Sequence, residues 1–317
     1  MIKKLIKQYI WLNILYRLVK EMSVCIKIKN KNFFFKTGQR NQKGDLEKSV
    51  IFYDRVVVWY NQIVPIEHGF LQNKKVLEVG PGDSLAMALR FLQFGAQEVT
   101  CVDKFYCERD EEFEQSLYMA IESKYSSSFL RDGKLPHDKI AYNYGRGIEE
   151  LDKKDYYDFI CSISVLEHIY DIDRAIDSMD KMLVVGGVMA HRIDLRDHAM
   201  FEYHHPLTFL TIHESLYKSF SYCSNNPNRR RINYYQNKMK TMGNYEYQIF
   251  VTAVNNKNLH TFKEKVILGV DYDICDVELI DNIRDNLSQD FKTLTDEELL
   301  ITDIFLYATK QHHRGEV

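Results

Sequence analysis

Gly80 and Gly82 stand in the run Val76 to Ser84, VLEVGPGDS, between four strand-forming residues and a helical pattern. A strand that turns so sharply into a helix leaves the first backbone N–H groups of the helix without intrahelical partners, facing whatever sits above the sheet edge. Glycine at the corner removes the side chains that would hold a ligand off that backbone. Twenty-three residues beyond Gly80, a second strand pattern ends at Asp103, where a carboxylate can accept from both hydroxyls of a ribose. These residues together predict a seat for an adenosine-containing cofactor.

Finer details separate the cofactors. A dinucleotide fingerprint needs Gly or Ala at its sixth position, but Leu85 stands there, and no P-loop lysine follows. Glu78 instead lies inside the strand, where a buried carboxylate is costly unless it meets a cation or several donors. The ammonium group of a bound amino acid would serve. Loop bracing is the plainer role open to Glu78, and helix capping to Asp103.

Six of the eleven histidines fall between positions 168 and 213 (His168, His191, His198, His204, His205 and His213). A hydroxyl acceptor of high pKa needs a nearby base, so His168, His191 and Asp194 are the candidate catalytic residues. A structural role is the alternative for His168. In RIDLRDH, Asp194, Asp197 and His198 suit either a divalent metal that orients hydroxyls or backbone bonds in a loop. The loop reading is preferred, and no metal is expected. The stretch NPNRRRINYY (226–235) sets three arginines beside tyrosines, which suits a phosphate and a sugar ring or, alternatively, a solvated helix start.

The elements that must position these groups alternate between strand and helix from Lys75 to about Asp194, which implies a parallel sheet covered on both faces. Strand patterns are VLEV (76–79), EVTCV (98–102), KIAYNYG (139–145), YDFICSISV (157–165) and VMAHRI (188–193), with helices at Ser84–Phe94 and Ile172–Leu183 and a Gly186–Gly187 turn. Residues 195–245 read as an inserted cap. YQIFVTAV (247–254) and DIFLYAT (303–309) read as an antiparallel edge hairpin around a charged, helical stretch from Thr261 to Leu300.

These motifs resemble the class I S-adenosylmethionine-dependent methyltransferases. The resemblance rests on VLEVGPGDS, Asp103, YDFICSISVLEHIYD (157–171) and VMAHRID (188–194), and DIFLYATK (303–310) is similar to the family's last strand. It implies a Rossmann-like, seven-stranded, mostly parallel sheet over roughly residues 70–310, after a basic helical extension (1–70). It also implies Glu78, Gly80, Pro81, Gly82 and Asp83 around the methionine end of S-adenosylmethionine, and Asp103 and Lys104 at the ribose. Arg146, Gly147 and Ile148 would lie near the adenine, and Ser162 and Ser164 beneath the cofactor. GPGDSLAMAL, HRIDLRDH, NRRR and the N-terminal extension together resemble bacterial methyltransferases of sugar and surface-polysaccharide pathways. The expected reaction is therefore O-methylation of a sugar, nucleotide-sugar or glycan. Another small acceptor, such as a lipid or quinone precursor, and a non-catalytic cofactor-binding scaffold are the rivals.

Composition narrows the partners. Residues 1–40 carry ten Lys or Arg against one acid, a balance of +9, which leaves the remainder at −12 within a total of −3. A main body this negative is a poor general nucleic-acid binder. The Asn/Asp-Pro-Pro-aromatic motif of base-methylating enzymes is also absent after the fourth strand, where SISV stands.

Ile2, Leu5, Tyr9, Leu12, Tyr16 and Val19 fall on one face of an N-terminal helix, which either packs on the main domain or lies on anionic lipid through residues 1–22. Charges recur too often for a spanning helix. The six scattered cysteines read as reduced thiols of a cytoplasmic protein.

Overall fold

The computed structural model describes residues 7–29, 42–223 and 225–312. Helix α1 (Ile10–Lys29) and helix α2 (Leu46–Asn61) precede the sheet. Asp45 starts α2 by accepting from the Lys48 N–H. Then follow β1 (Lys75–Val79), α3 (Ala86–Gln93), β2 (Glu98–Asp103), α4 (Glu111–Tyr125), β3 (Ile140–Tyr144), β4 (Tyr157–Ile163), α5 (Ile172–Met182) and β5 (Leu183–Asp194). The second half contributes α6 (Glu214–Lys218), α7 (Ile232–Met242), β6 (Tyr245–Val254), β7 (Lys257–Lys263), α8 (Ile274–Arg284), α9 (Asp296–Leu300) and β8 (Ile301–Lys310).

One sheet runs in the order β3-β2-β1-β4-β5-β8-β6-β7, with β1 to β5 parallel and β8, β6 and β7 joined antiparallel. This is the expected Rossmann-like fold, with eight strands rather than seven. The late strands β6 and β8 pair as expected, and the additional strand is β7. It lies partly in the stretch expected to be helical, turning back from β6 through Asn255 and Asn256, both left-handed.

Alternation along the strands divides the core. Leu77, Val79, Ile160, Met189 and Ile193 face the layer with α5 and α7, while Val76, Val99, Phe159, Val188 and Phe305 face α2 and α3. Tyr60 of α2 packs edge-on against Phe91, Phe159 and Phe305. Helix α2 therefore packs directly on the sheet.

Helix α1 docks through buried Ile14 and Val24 together with Asn13, Arg17 and Glu21, and leaves a second apolar stripe outward. Asn13 and Arg17 are buried and donate to the Met200 carbonyl, at 2.9 and 2.5 Å. Trp11, Leu15, Val19, Met22 and Ile26, at steps of three and four residues, are each more than half exposed. Of the stripe read from sequence, Tyr9, Leu12 and Val19 are exposed, and Ile2 and Leu5 lie outside the described residues. No described helix is long and apolar enough to cross a membrane.

The expectation of six reduced thiols is corrected. Cys25 of α1 is joined to Cys223 of the cap by a disulfide across a sequence separation of 198, and Cys101, Cys107, Cys161 and Cys275 remain thiols. Folding, not spacing, brings the pair together, and the thiols no longer argue for a reducing compartment.

Candidate active site

The strand order reverses direction between β1 and β4, and a cavity of about 280 Å³ opens there at the carboxyl ends of β1, β2 and β4. Of the residues expected at the cofactor, Gly80, Asp103, Lys104, Gly147 and Ile148 line it, and so does His168. Gly80 and Gly82 are both left-handed, and a Cβ on Gly80 would come within 2.4 Å of the Val165 side chain, so the corner requires glycine.

The corner satisfies more of its own backbone than expected. Gly80 N–H donates to the Val102 carbonyl at 2.8 Å, Gly82 N–H to the Asp103 carboxylate at 3.1 Å, and Leu85 N–H to the Tyr118 hydroxyl at 3.3 Å. The first helical residue is Ala86, two positions after the expected start. Arg109, half-buried over the Tyr142 ring, donates to the Gly82 carbonyl at 3.3 Å and pairs with Glu114 at 3.8 Å. Arg109 and Tyr118 thus brace the corner from beneath, and no local motif announces them.

Several predicted residues lie outside the cavity lining. Glu78 is buried, with Oε2 3.6 Å from the Cys101 thiol, which donates to it. Pro81 and Asp83 are buried within the corner. Ser162 and His191 are both fully buried inside the sheet, Oγ to Nδ1 at 2.8 Å. Ser164, left-handed, donates its N–H to the Arg192 carbonyl at 2.9 Å.

Burial pulls the His191 imidazole down to about 3. The unfolded chain therefore binds a proton at His191 that the folded chain refuses between pH 6.5 and 3, so stability is complete above that window and lost as pH falls through it. At about 1.4 kcal/mol per pH unit, the step from pH 7 to 5 costs about 2 kcal/mol. Urea unfolding at both pH values should show His191→Gln losing that much less than the wild type. Equal losses would remove His191 as the cause.

Most of the histidine cluster braces loops. His205 Nε2 bonds the Leu279 carbonyl at 2.9 Å, His204 Nε2 the Lys7 carbonyl at 3.1 Å, and His213 Nδ1 accepts from the Ser215 N–H at 3.4 Å. The Asp197 carboxylate accepts from the N–H groups of Ala199 and Phe201, the loop role preferred for it. His168 and His198 stay together, ring centroids 4.7 Å apart. Burial and then the neighbouring His198 draw His168 down to about 3, which leaves a neutral ring of little strength as a base.

His198 and Asp194 line a second cavity of about 400 Å³, bounded also by Arg196, Asn255, Asn256, Thr302, Phe209 and apolar residues of α8 and α9. Burial raises the Asp194 carboxyl, but bonds from Arg196 and the His198 ring outweigh it and hold Asp194 below the ordinary carboxylate range. The His168–His198 pair is thus the partition between the two cavities.

The cap fits neither arginine reading. Arg229 is buried and donates to the carbonyls of Phe209 and Ile212 and to Glu214, and Arg231 is buried among the carbonyls of Leu195, Glu298, Leu299 and Ile301. Only Arg230 remains half-buried, over the Tyr234 ring. Tyr222 of the cap meets Tyr170 edge-on at 5.0 Å and, with Cys223 and Asn225, covers the first cavity.

Among solved structures, the chain is similar to an S-adenosylmethionine-dependent methyltransferase from Mesorhizobium loti (11% identity, 81% of this chain and 100% of that one, TM-score 0.44). It is also similar to phosphoethanolamine N-methyltransferase 2 of Haemonchus contortus in complex with S-adenosyl-L-methionine (12%, 83% and 57%, TM-score 0.42). A third is an arsenic(III) S-adenosylmethionine methyltransferase from Chlamydomonas reinhardtii (15%, 78% and 66%, TM-score 0.41). No curated protein sequence matches the chain. Residues 59–240, more than half of the chain and including the glycine corner, Asp103 and the histidine partition, match the family described as a methyltransferase domain. The chain belongs to that family.

Proposed function

We propose that this protein transfers a methyl group from S-adenosylmethionine to a hydroxyl of a sugar, nucleotide-sugar or glycan end. The cofactor is S-adenosylmethionine, and the residues present fit it. Asp103 reaches the cavity wall beside a glycine corner that a side chain would obstruct, and buried Ile148 offers an apolar surface at the far end. When bound, it supplies an electrophilic methyl group. Transfer forms an O–CH₃ bond, breaks the C–S bond with its electron pair going to sulfur, and releases the hydroxyl proton. The protein's share is alignment of the acceptor and exclusion of water.

The observation that carries the acceptor reading is the second cavity. Its lining includes the polar groups of Asp194, Arg196, Asn255, Asn256 and Thr302, partly engaged with one another, and the apolar Phe209. That pairing suits a ring bearing several hydroxyls. Calorimetric titration with S-adenosylmethionine and S-adenosylhomocysteine, with NAD as control, comes first, followed by isotope transfer to a panel of nucleotide-sugars. Transfer to lipid or quinone precursors instead would replace the acceptor, and binding without transfer to any acceptor would favour the scaffold.

Helix α1 supports an acceptor held at a membrane. We infer that its outward stripe lies on anionic lipid. Trp11, Leu15, Val19, Met22 and Ile26 face solvent on the side away from the protein, flanked by exposed Lys20 and Lys27. The full chain should pellet with anionic vesicles and not with neutral ones. Leu15→Glu combined with Val19→Glu should keep it in the supernatant, since the docking face of Asn13 and Arg17 is untouched. Pelleting by the double variant would exclude the stripe as the contact.

A further inference from the structure

The partition between the two cavities contains a buried carboxylate with no side-chain partner among the described residues. Glu167 is 2% exposed, and neither of its oxygens has a hydrogen-bond partner within bonding geometry among the described residues. Asp194 and Asp303 add negative potential to it, which the backbone N–H groups of Glu167 and Asp194 offset only in part. An anion in such a place is costly without a cation. Beside it, His168 Nδ1 is buried without a partner, while the other side of the ring is engaged by the Asn225 backbone. His198 completes the group, and one ligand atom from each of Glu167, His168 and His198 lies within 4.8 Å of the others.

We propose that Glu167, His168 and His198 bind a divalent first-row cation of the zinc or cobalt type, leaving one coordination position open toward the two cavities. Two neutral imidazoles and one carboxylate form a donor set suited to such ions, and three protein ligands with an open position are what a Lewis-acid site needs. Bonds of about 2.0–2.2 Å to a tetrahedral ion place donors roughly 3.4 Å apart, inside the 4.8 Å limit within which these atoms already lie. His198 has freedom to adjust, because its side chain is 30% exposed and stands on a loop rather than in the sheet. Asp194, 3.8 Å from His198 Nε2, is the carboxylate behind the imidazole that commonly orients a metal-bound histidine.

The role of the ion rests on the acceptor reading above, whereas its binding does not. An acceptor hydroxyl on the open position would lose its proton more readily.

Cobalt(II) titration of the full chain, freed of metal by chelation and kept without thiol reductant so that Cys25 and Cys223 stay joined, tests the site. One equivalent should bind with visible ligand-field bands and no thiolate charge-transfer band. Both Glu167→Gln and His198→Ala should weaken binding by about 100-fold or more. H198A removes a partly exposed ligand and leaves the core intact, and S-adenosylmethionine calorimetry on each variant reports folding and the cofactor reading separately. The proposal is overturned by absence of saturable binding in the wild type, by variants that bind like it, or by a spectrum carried by thiolate.

Discussion

Replacing Arg231 by Leu is expected to lower the unfolding free energy by about 3–5 kcal/mol, the range for breaking a buried, fully bonded charge site. The guanidinium donates to the carbonyls of Leu195, Glu298, Leu299 and Ile301, and so ties the end of β5, the end of α9 and the start of β8 to the head of α7. Burial pulls it down to about 10, so it still carries its charge at neutral pH. Leucine leaves those carbonyls without their donor, each a desolvation cost of about 1–3 kcal/mol before relaxation. Thermal scanning should show a midpoint lower by roughly 5–15 °C. Arg230→Leu, next along the chain, should stay within about 0.5 kcal/mol of the wild type. Equal effects at the two positions would mean that the carbonyl cage is not what the cap depends on.

Asp103→Ala should raise the Kd for S-adenosylmethionine by about ten- to a hundredfold, which corresponds to about 1–3 kcal/mol for hydrogen bonds from a ligand to a charged acceptor. Two losses combine. The carboxylate leaves the cavity wall, and Gly82 N–H loses the acceptor that holds the corner in shape. Asp103→Asn retains one acceptor of similar size and should fall between. Calorimetry on both variants, beside thermal midpoints that separate lost affinity from lost fold, measures the effect. Unchanged affinity in the alanine variant would move the ribose elsewhere.

The parallel half of the sheet was legible because VLEV, EVTCV and YDFICSISV are short, mostly apolar runs rich in Val and Ile with no strict alternation, as strands covered on both faces require. The glycine corner was legible because backbone conformation and residue type are tightly linked there. β7 was not: at the sheet edge, KNLHTFK buries no complete face and so shows no period. Arg229 and Arg231 read as surface cations because their partners are main-chain carbonyls, which leave no trace in sequence. Helix α1 showed that it has an apolar stripe, but its docking side was set by Asn13 and Arg17 reaching a carbonyl nearly two hundred residues away. The partition of Glu167, His168 and His198 was only half visible, since Glu167 sat unnoticed inside LEH and its vacancy of partners exists only after folding.

The Cys25–Cys223 bond makes most of the catalytic half a covalent ring. β1 to β5, the glycine corner and both imidazoles of the partition lie between its two ends. A single protease cut anywhere within that ring opens it without releasing a fragment, and the pieces separate only when thiol is added. A cut after residue 223 instead frees the segment bearing β6, β7 and β8 from any covalent tie to the ring. The molecule thus has a half in which one nick leaves the chain covalently whole and a half in which it does not, and the divide falls inside the cap, at Cys223.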